Sequence, residues 1–386
     1  MAATDPRIPP ASAAAERRRA GGVLLAALAL PGLATPAAHA DLAPGHSFVE
    51  FKQLHYQDAQ SGLRRIHVDA PSLYVLTPLG ANWSLAGSAV LDIVSGATPR
   101  YYTSVSGASR MFDRRIGEDA TVTYYRPRSE FSFSASHSKE DDYESYGVSG
   151  DARFSTEDNN TTFNLGAGAS IDTIKPVNHI VDTAHKHTFD FIAGVTQALS
   201  PDDIAQVQYG YSFGHGYFND PYKLFDNRPA KRDQGAFTVR WNHQFERWGS
   251  TLRTNYRYYF DTYHIHAHTL QLEWVQPLGQ AVSISPSLTY YTQRAANFYF
   301  DPPNGNQDRF PAIPPNSYSS LDQRLAAFGG ITAGGRIDWD ISHHWSTDLK
   351  GEYHEERPAW RLIGQGSPAL YPFRYVAIEF GLSYRF

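Results

Sequence analysis

One pattern governs this sequence: apolar or aromatic residues alternate with small or polar ones, and the alternation restarts again and again along the chain. TVRWNHQF sets Val239, Trp241, His243 and Phe245 opposite Arg240, Asn242 and Gln244. TLRTNYRYYF sets Leu252, Thr254, Tyr256, Tyr258 and Phe260 opposite Arg253, Asn255, Arg257 and Tyr259, and EFSFSAS sets Phe131, Phe133 and Ala135 against serines. A period of two is that of a β-strand, whose successive side chains point to opposite faces. Alternating segments of about ten to fourteen residues, joined in turn by a very short connector and a longer polar one, fit an antiparallel barrel that crosses a membrane.

The short connectors fall at 80–82, 126–129, 156–160, 199–203, 246–249, 277–280 and 342–344, rich in the Gly, Pro, Asn and Asp that turns require. Longer ones are expected at 95–118, 172–186, 215–233, 295–323 and 356–372, with smaller members of the same set at 58–62, 138–143 and 261–264. Their strict alternation separates about sixteen strands and puts both chain ends on the short-turn side, as in a bacterial outer-membrane barrel. Trp83, Trp241, Trp248, Trp274, Trp339 and Trp345 all lie in or near short turns, which predicts an aromatic girdle at one membrane interface. The chain ends on AIEFGLSYRF, a strand with Ile378, Phe380, Leu382, Tyr384 and Phe386 on one side and no polar cap. A greasy edge of this kind invites aggregation in water, so the last strand is expected to close on the first, near 48–56, with its apolar side in lipid. Phe380, Leu382, Tyr384 and Phe386 also resemble the terminal signal read by the machinery that inserts outer-membrane barrels.

Arg17, Arg18 and Arg19, the apolar stretch GGVLLAALALPGLA and Ala38-His39-Ala40 make a secretory signal peptide over 1–40, leaving 41–386 as the barrel domain. The apolar stretch is short of the roughly 20 residues that a spanning helix needs. The chain has no cysteine, which excludes disulfides, thiolate metal sites and thiol catalysis. A net charge of -5 without basic clusters excludes nucleic acid as a partner. Mean hydropathy is low (-0.44), yet 14% of residues are aromatic, a combination that suits a barrel with a wet interior. The expected surroundings are outer-membrane lipid and lipopolysaccharide of a Gram-negative cell, reached through the periplasm.

VDAPS (68–72), DIVSGATP (92–99), YFNDPY (217–222), YRYYFDTYHIHAHT (256–269) and YYTQRAANFYFD (290–301) resemble the bacterial DUF3570 family, a set of outer-membrane barrels of unknown function. The resemblance runs through most of the chain after the signal peptide. His266 stands where the family pattern has an acidic residue, and the family assigns no catalytic residue to carry over. The resemblance also implies neighbouring flavin-transfer and thioredoxin-like proteins, hence periplasmic partners.

Four groups of residues are candidates for chemistry. His264, His266 and His268 in HIHAH fall on one strand face about 7 Å apart per step, a spacing from which imidazoles can share Zn or Cu. Their parity with Leu270, Leu272 and Trp274 puts them outward, where they serve equally as interfacial polar residues. His185, His187, His343 and His344 read as solvated positions. Glu140, Asp141, Asp142 and Glu144 in EDDYE offer oxygen ligands to Ca²⁺, or form a solvated loop tip, since the ordered glycine spacing of a calcium loop is missing. Ser136 and His137 fall on opposite faces, and no G-x-S-x-G occurs, which leaves a hydrolase without an evident nucleophile.

The fourth group faces inward: Arg240, Arg253, Arg257 and Asp261, then Arg324, Arg336, Asp338, Asp348, Lys350, Glu352 and Glu379 towards the closing seam. Charges of both signs around a water-filled bore filter ions and small solutes, whereas paired charges in an occluded barrel merely stiffen it. A barrel of about sixteen strands leaves a channel unless a loop plugs it, and the proline-rich connector 295–323 is long enough to fold in as such a constriction or to stand outward. The sequence therefore points to an all-β outer-membrane channel or export pore that needs no cofactor. A closed barrel serving a periplasmic redox system and an outer-membrane enzyme are the alternatives.

Overall fold

A computed structural model describes residues 43–60, 63–97, 110–223, 225–301 and 317–386; the stretch 1–40 expected to be a signal peptide lies outside the described residues. Each alternating segment forms a strand. In chain order they are β1 (Phe48–Gln60), β2 (Leu63–Pro78), β3 (Trp83–Ala97), β4 (Arg110–Arg126), β5 (Ser129–Lys139), β6 (Tyr143–Ser155), β7 (Thr161–Ile174) and β8 (Ala184–Ala198). The second half comprises β9 (Asp203–Gly216), β10 (Lys231–Phe245), β11 (Ser250–Asp261), β12 (His266–Leu278), β13 (Val282–Gln293), β14 (Phe328–Asp340), β15 (Trp345–Arg357) and β16 (Phe373–Arg385). Every strand pairs antiparallel with its sequence neighbours, and β16 pairs with β1 from Phe48↔Arg385 to Gln60↔Phe373, so the barrel closes. No backbone edge is left to solvent or lipid, which is what a spanning sheet requires.

Register fixes which side chain faces which way. On β16, Phe373, Tyr375, Ala377, Glu379 and Ser383 are buried, while Val376, Ile378, Phe380 and Phe386 are exposed. The same inversion recurs around the barrel: Phe133, Val148, Leu165, Phe191, Leu272, Leu288 and Leu349 stand outward and exposed. In water such a surface forfeits about 1.5–3 kcal/mol per large apolar side chain, which hydrocarbon returns. Trp83, Trp241, Trp248, Trp339 and Trp345 are exposed at the short-turn end, with Trp83 against Tyr124 (4.6 Å), Trp345 against Tyr384 (4.7 Å) and Trp248 against Trp274 (6.2 Å).

One expected loop is shorter than its sequence suggests. The stretch 95–118 reads as a connector, but β3 runs to Ala97 and β4 begins at Arg110, paired directly with it. Because about 9–11 tilted residues suffice to cross a bilayer, β4 with its 17 residues stands well clear of the hydrocarbon. RMFDRRIGE, at the start of that strand, carries no clear alternation to read.

The connectors at the long-loop end pack on one another. The β9–β10 connector ties to that between β13 and β14 through Arg228–Asp322 (2.8 Å), Arg324–Asp220 (2.8 Å) and paired backbone bonds between Asn227 and Ser319. Beneath them, Tyr263, Ile265, Ala296 and Leu325 form a core against Phe218 and Tyr259, and Ala326, Phe328 and Leu370 form another against Tyr291. Tyr259 and Tyr291 face the barrel interior, so these loops lie over its mouth as a cap. Phe218 folds back across the inward face of Gly214, where a Cβ would stand 2.6 Å from its ring. The described ends of the 295–323 connector thus turn inward, and Gln323 reaches Gln60 of β1 (2.6 Å).

Candidate functional site

The barrel interior has two unlike walls. Reading the inward positions of β5 to β9 by register gives Ser132, Ser134 and Ser136 on β5, Gly147, Ser149 and Asp151 on β6, and Gly166, Gly168 and Ser170 on β7. Thr188, Asp190 and Gly194 follow on β8, then Gln208, Gly210 and Ser212 on β9. Most of these side chains are short, Gln208 and the intervening Ile192 of β8 being the exceptions. From β10 round to β1 the inward positions carry Arg240, Arg253, Arg257, Glu273, Tyr291, Arg336, Asp338, Asp348, Lys350, Glu352, His354, Glu379, Lys52 and Glu50. Small side chains thus predominate at the middle of β5–β9, with Ile192 among them and Glu130, Arg153, Asp172 and Lys186 towards the strand ends, whereas charge extends through the middle of the facing wall between the serines of β13.

The charged wall is itself organised. At the seam, Lys52 lies buried between Glu379 (3.2 Å), Asp348 (3.5 Å) and Glu50 (3.8 Å), carboxylates from β16, β15 and its own strand. Asp348 can reach Lys52 across β16 because the intervening residue in that row is Gly381; a Cβ there would collide with the Asp348 carboxylate. Ser383 donates to Glu50 (3.3 Å), Lys350 pairs with Glu352 (2.6 Å), and Arg336 forks onto Asp338 with Nε at 2.9 Å. Carboxylates outnumber cations here. Over β10 and β11 the balance reverses: Arg240, Arg253 and Arg257 stand together, with Glu273 3.5 Å from Arg253 as the neighbouring acid. Unlike fields side by side on one wall are a means of sorting small ions by sign.

Of the eleven inward charges read from the sequence, the register sets ten in phase with the inward row and leaves Arg324 outside the strands. Asp261 sits at the rim, bound by Arg232 (2.7 Å) and Tyr259 (2.9 Å), and starts the β11–β12 turn by accepting from the Ile265 amide (2.9 Å). Arg324, expected on the seam wall, belongs instead to the cap, in the single 3₁₀ turn Gln323–Leu325 that follows Asp322. Lys52 and Glu50 were missed, because FVEFKQ carries aromatics on both faces and gives no parity of its own. The closing register Lys52↔Gly381 is the signal that identifies them.

The histidine trio does not assemble on one face. His264 takes a left-handed backbone (φ 66) in the Asp261 turn, which breaks the strand before His266. His266 and His268 do face outward, and each meets a tyrosine of β11: Tyr258 at 2.7 Å and Tyr256 at 2.8 Å. Among the described residues no group of three or more His, Asp or Glu stands close enough to hold a metal. The EDDYE carboxylates likewise part company: Glu140 and Asp142 are buried, Asp142 accepting from Tyr222 of the β9–β10 connector, while Glu144 lies on the far side with His137 (3.3 Å) and Tyr146 (3.0 Å). The solvated tip expected there is in fact part of the cap's footing. Ser136 pairs with Asp119 on the inward face and His137 stacks on Tyr146 outside.

The sequence matches the family described as "Protein of unknown function (DUF3570)" over residues 108–184 and 178–377, more than half of the chain. The chain belongs to the DUF3570 family. No curated protein sequence matches this DUF3570 member. Solved structures that it resembles include one titled bacterial polysaccharide outer membrane secretin, with TM-score 0.49 and 10% identity over 88% of this chain and 98% of that one. Another is the CymD monoaromatic hydrocarbon channel, with TM-score 0.44 and 9% identity over 88% of each chain. A third is the toluene transporter TodX of P. putida, with TM-score 0.41 and 10% identity over 89% of this chain and 90% of that one.

Proposed function

We propose that this DUF3570 protein is an outer-membrane channel through which ions or small polar solutes pass along the low-relief wall of β5–β9, sorted by the charged wall opposite. The contrast between those walls carries the reading, because a barrel filled only to be stable has no reason to gather its short inward side chains on adjacent strands. Short turns then face the periplasm and the cap faces outside, in contact with lipopolysaccharide. Phe380, Leu382, Tyr384 and Phe386 on the outward face of the closing strand serve as the insertion signal for the barrel assembly machinery.

Purified protein in a planar bilayer tests this. Discrete conductance steps are expected, and Arg253→Glu with Arg257→Glu should shift the reversal potential in a salt gradient towards cation preference. A protein that inserts but stays electrically silent sinks the channel and favours the second reading, a closed barrel working with periplasmic partners of a redox system. The observation behind that alternative is the cap, whose apolar cores rest on the inward-facing Tyr259 and Tyr291.

A further inference from the structure

The cations of the lumen are not alike in their partners. Lys52, Lys350, Arg336 and Arg253 each lie within ion-pair distance of a carboxylate. Arg257 has none among the described residues; its guanidinium lies over the ring of Tyr259 at 5.3 Å, and its Nε has no hydrogen-bond partner. Arg257 is half-buried, and a guanidinium on the lumen wall without a paired carboxylate is open to an anion that arrives from solution. In the same row across the sheet stand Gln208, Thr238, Arg257 and Thr269, on strands about 4.8 Å apart. Gln208 is also without a partner for its Nε2 donor. The next row brings Arg240 and Asn255 beside each other, and the one after it Arg253. Arg257 Nε and Gln208 Nε2, donors without acceptors on the strands either side of β10 and in a locally positive field, are the complement of an oxyanion.

We infer that Arg257, with Gln208 and the flanking Arg240, forms a binding site for a small oxyanion, a carboxylate or a phosphate, on the lumen wall just below the cap. The planar fork of Arg257, fixed by Tyr259, presents its free edge for a two-point contact with such a group. Gln208 supplies a third donor from two strands away. The inference rests on the reading of the interior as reachable by solute, and it adds where a solute would pause and what chemistry it would bring.

Calorimetric titration of the folded barrel in detergent, with inorganic phosphate and separately with succinate, tests the site without requiring conductance. Saturable binding of at least one anion is expected. Arg257→Gln should weaken it tenfold or more, Arg257→Lys should recover part of that loss by restoring charge without the fork, and Arg128→Gln, in the β4–β5 turn away from the lumen wall, should leave it within twofold. Binding of phosphate alone identifies a phosphoryl ligand and binding of succinate alone a carboxylate. Heat-dependent migration on a gel confirms that each variant is folded; should Arg257→Gln fail to fold, Gln208→Leu, which leaves the charges intact, should still weaken binding about threefold or more. Absence of binding for both anions, or an Arg257→Gln barrel that binds like the parent, overturns the site. A barrel that binds yet does not conduct sinks only the channel, and one that conducts yet ignores both anions sinks only the site.

Discussion

Lys52 shows what a single side chain decides here. An ammonium among Glu379, Asp348 and Glu50 gains Coulomb energy from all three, yet it has given up its hydration, so the group as a whole is worth little more than an apolar filling of the same shape. Breaking it is a different matter. Lys52→Met leaves three carboxylates facing one another, and a loss of about 3–5 kcal/mol is expected in equilibrium urea unfolding followed by tryptophan fluorescence. Gly381→Ala pushes the Asp348 carboxylate off Lys52 and should cost about 1–3 kcal/mol, the scale of overpacking. Adding Glu379→Gln to Lys52→Met should recover part of the first loss, since it removes one of the orphaned charges. If Lys52→Met unfolds at the parent's urea midpoint, the seam cluster is not a unit. None of this was readable from β1 alone: Phe48 faces in and Phe51 faces out, and only closure onto β16 says which charges meet.

At the scale of elements, the cap depends on one carboxylate. Asp322 receives Arg228 (2.8 Å) from the β9–β10 connector and Arg324 Nε (2.7 Å) from its own turn, while Arg324 also reaches Asp220 (2.8 Å). Burial alone would raise the Asp322 carboxyl, but the charges of Arg324, Lys223 and Arg228 outweigh it and hold the group well below the usual carboxylate range. Its contribution is therefore complete above the ordinary value of 3.8 and disappears as pH falls from there through the depressed one. Asp226 has the opposite sign: burial raises its carboxyl against the pull of Arg228, so its share is present below 3.8 and lost as pH rises through the raised value. Mild acid should thus leave the cap closed. Amide hydrogen exchange in 217–230 and 317–327 is expected to stay slow between about pH 7 and about pH 5 after correction for intrinsic rates, and to quicken below 3.8. Asp322→Asn should quicken it tenfold or more at neutral pH while β1–β16 stay protected; unchanged exchange would mean that the apolar cores alone hold the loops. The strands were legible because a lipid-facing period of two is imposed on every one of them. The cap was not, because Arg228 and Asp322 are 94 residues apart and no periodicity relates one loop to another. Asp142, too, reads as part of an exposed acidic tip, because nothing in its neighbourhood along the chain points to the distant Tyr222 that donates to it.

For the molecule as a whole, two ends of different character set its orientation. Tryptophans gather at the short-turn end, and at the other the outward face carries the tyrosine–histidine pairs of β11 and β12 and the Arg357–Glu355–Arg374 (3.1 Å) group. Hydrocarbon fits between those limits, and charged side chains on the outer face are cheap only near an interface, where they cost about 0–1 kcal/mol against about 2–4 for a basic residue at the midplane. The orientation proposed above puts the capped end outside and the short turns in the periplasm. The sequence carries no cysteine, so a single introduced thiol reports its own side without background. Leu362→Cys in the β15–β16 connector, where the residue is 66% exposed, and Glu157→Cys in the β6–β7 turn, whose side chain is 92% exposed, are both accessible positions. On intact cells a membrane-impermeant maleimide should label Leu362→Cys and spare Glu157→Cys until the outer membrane is permeabilised. Labelling in the reverse order would turn the barrel over, placing the cap in the periplasm, where it would meet partner proteins instead of arriving solutes.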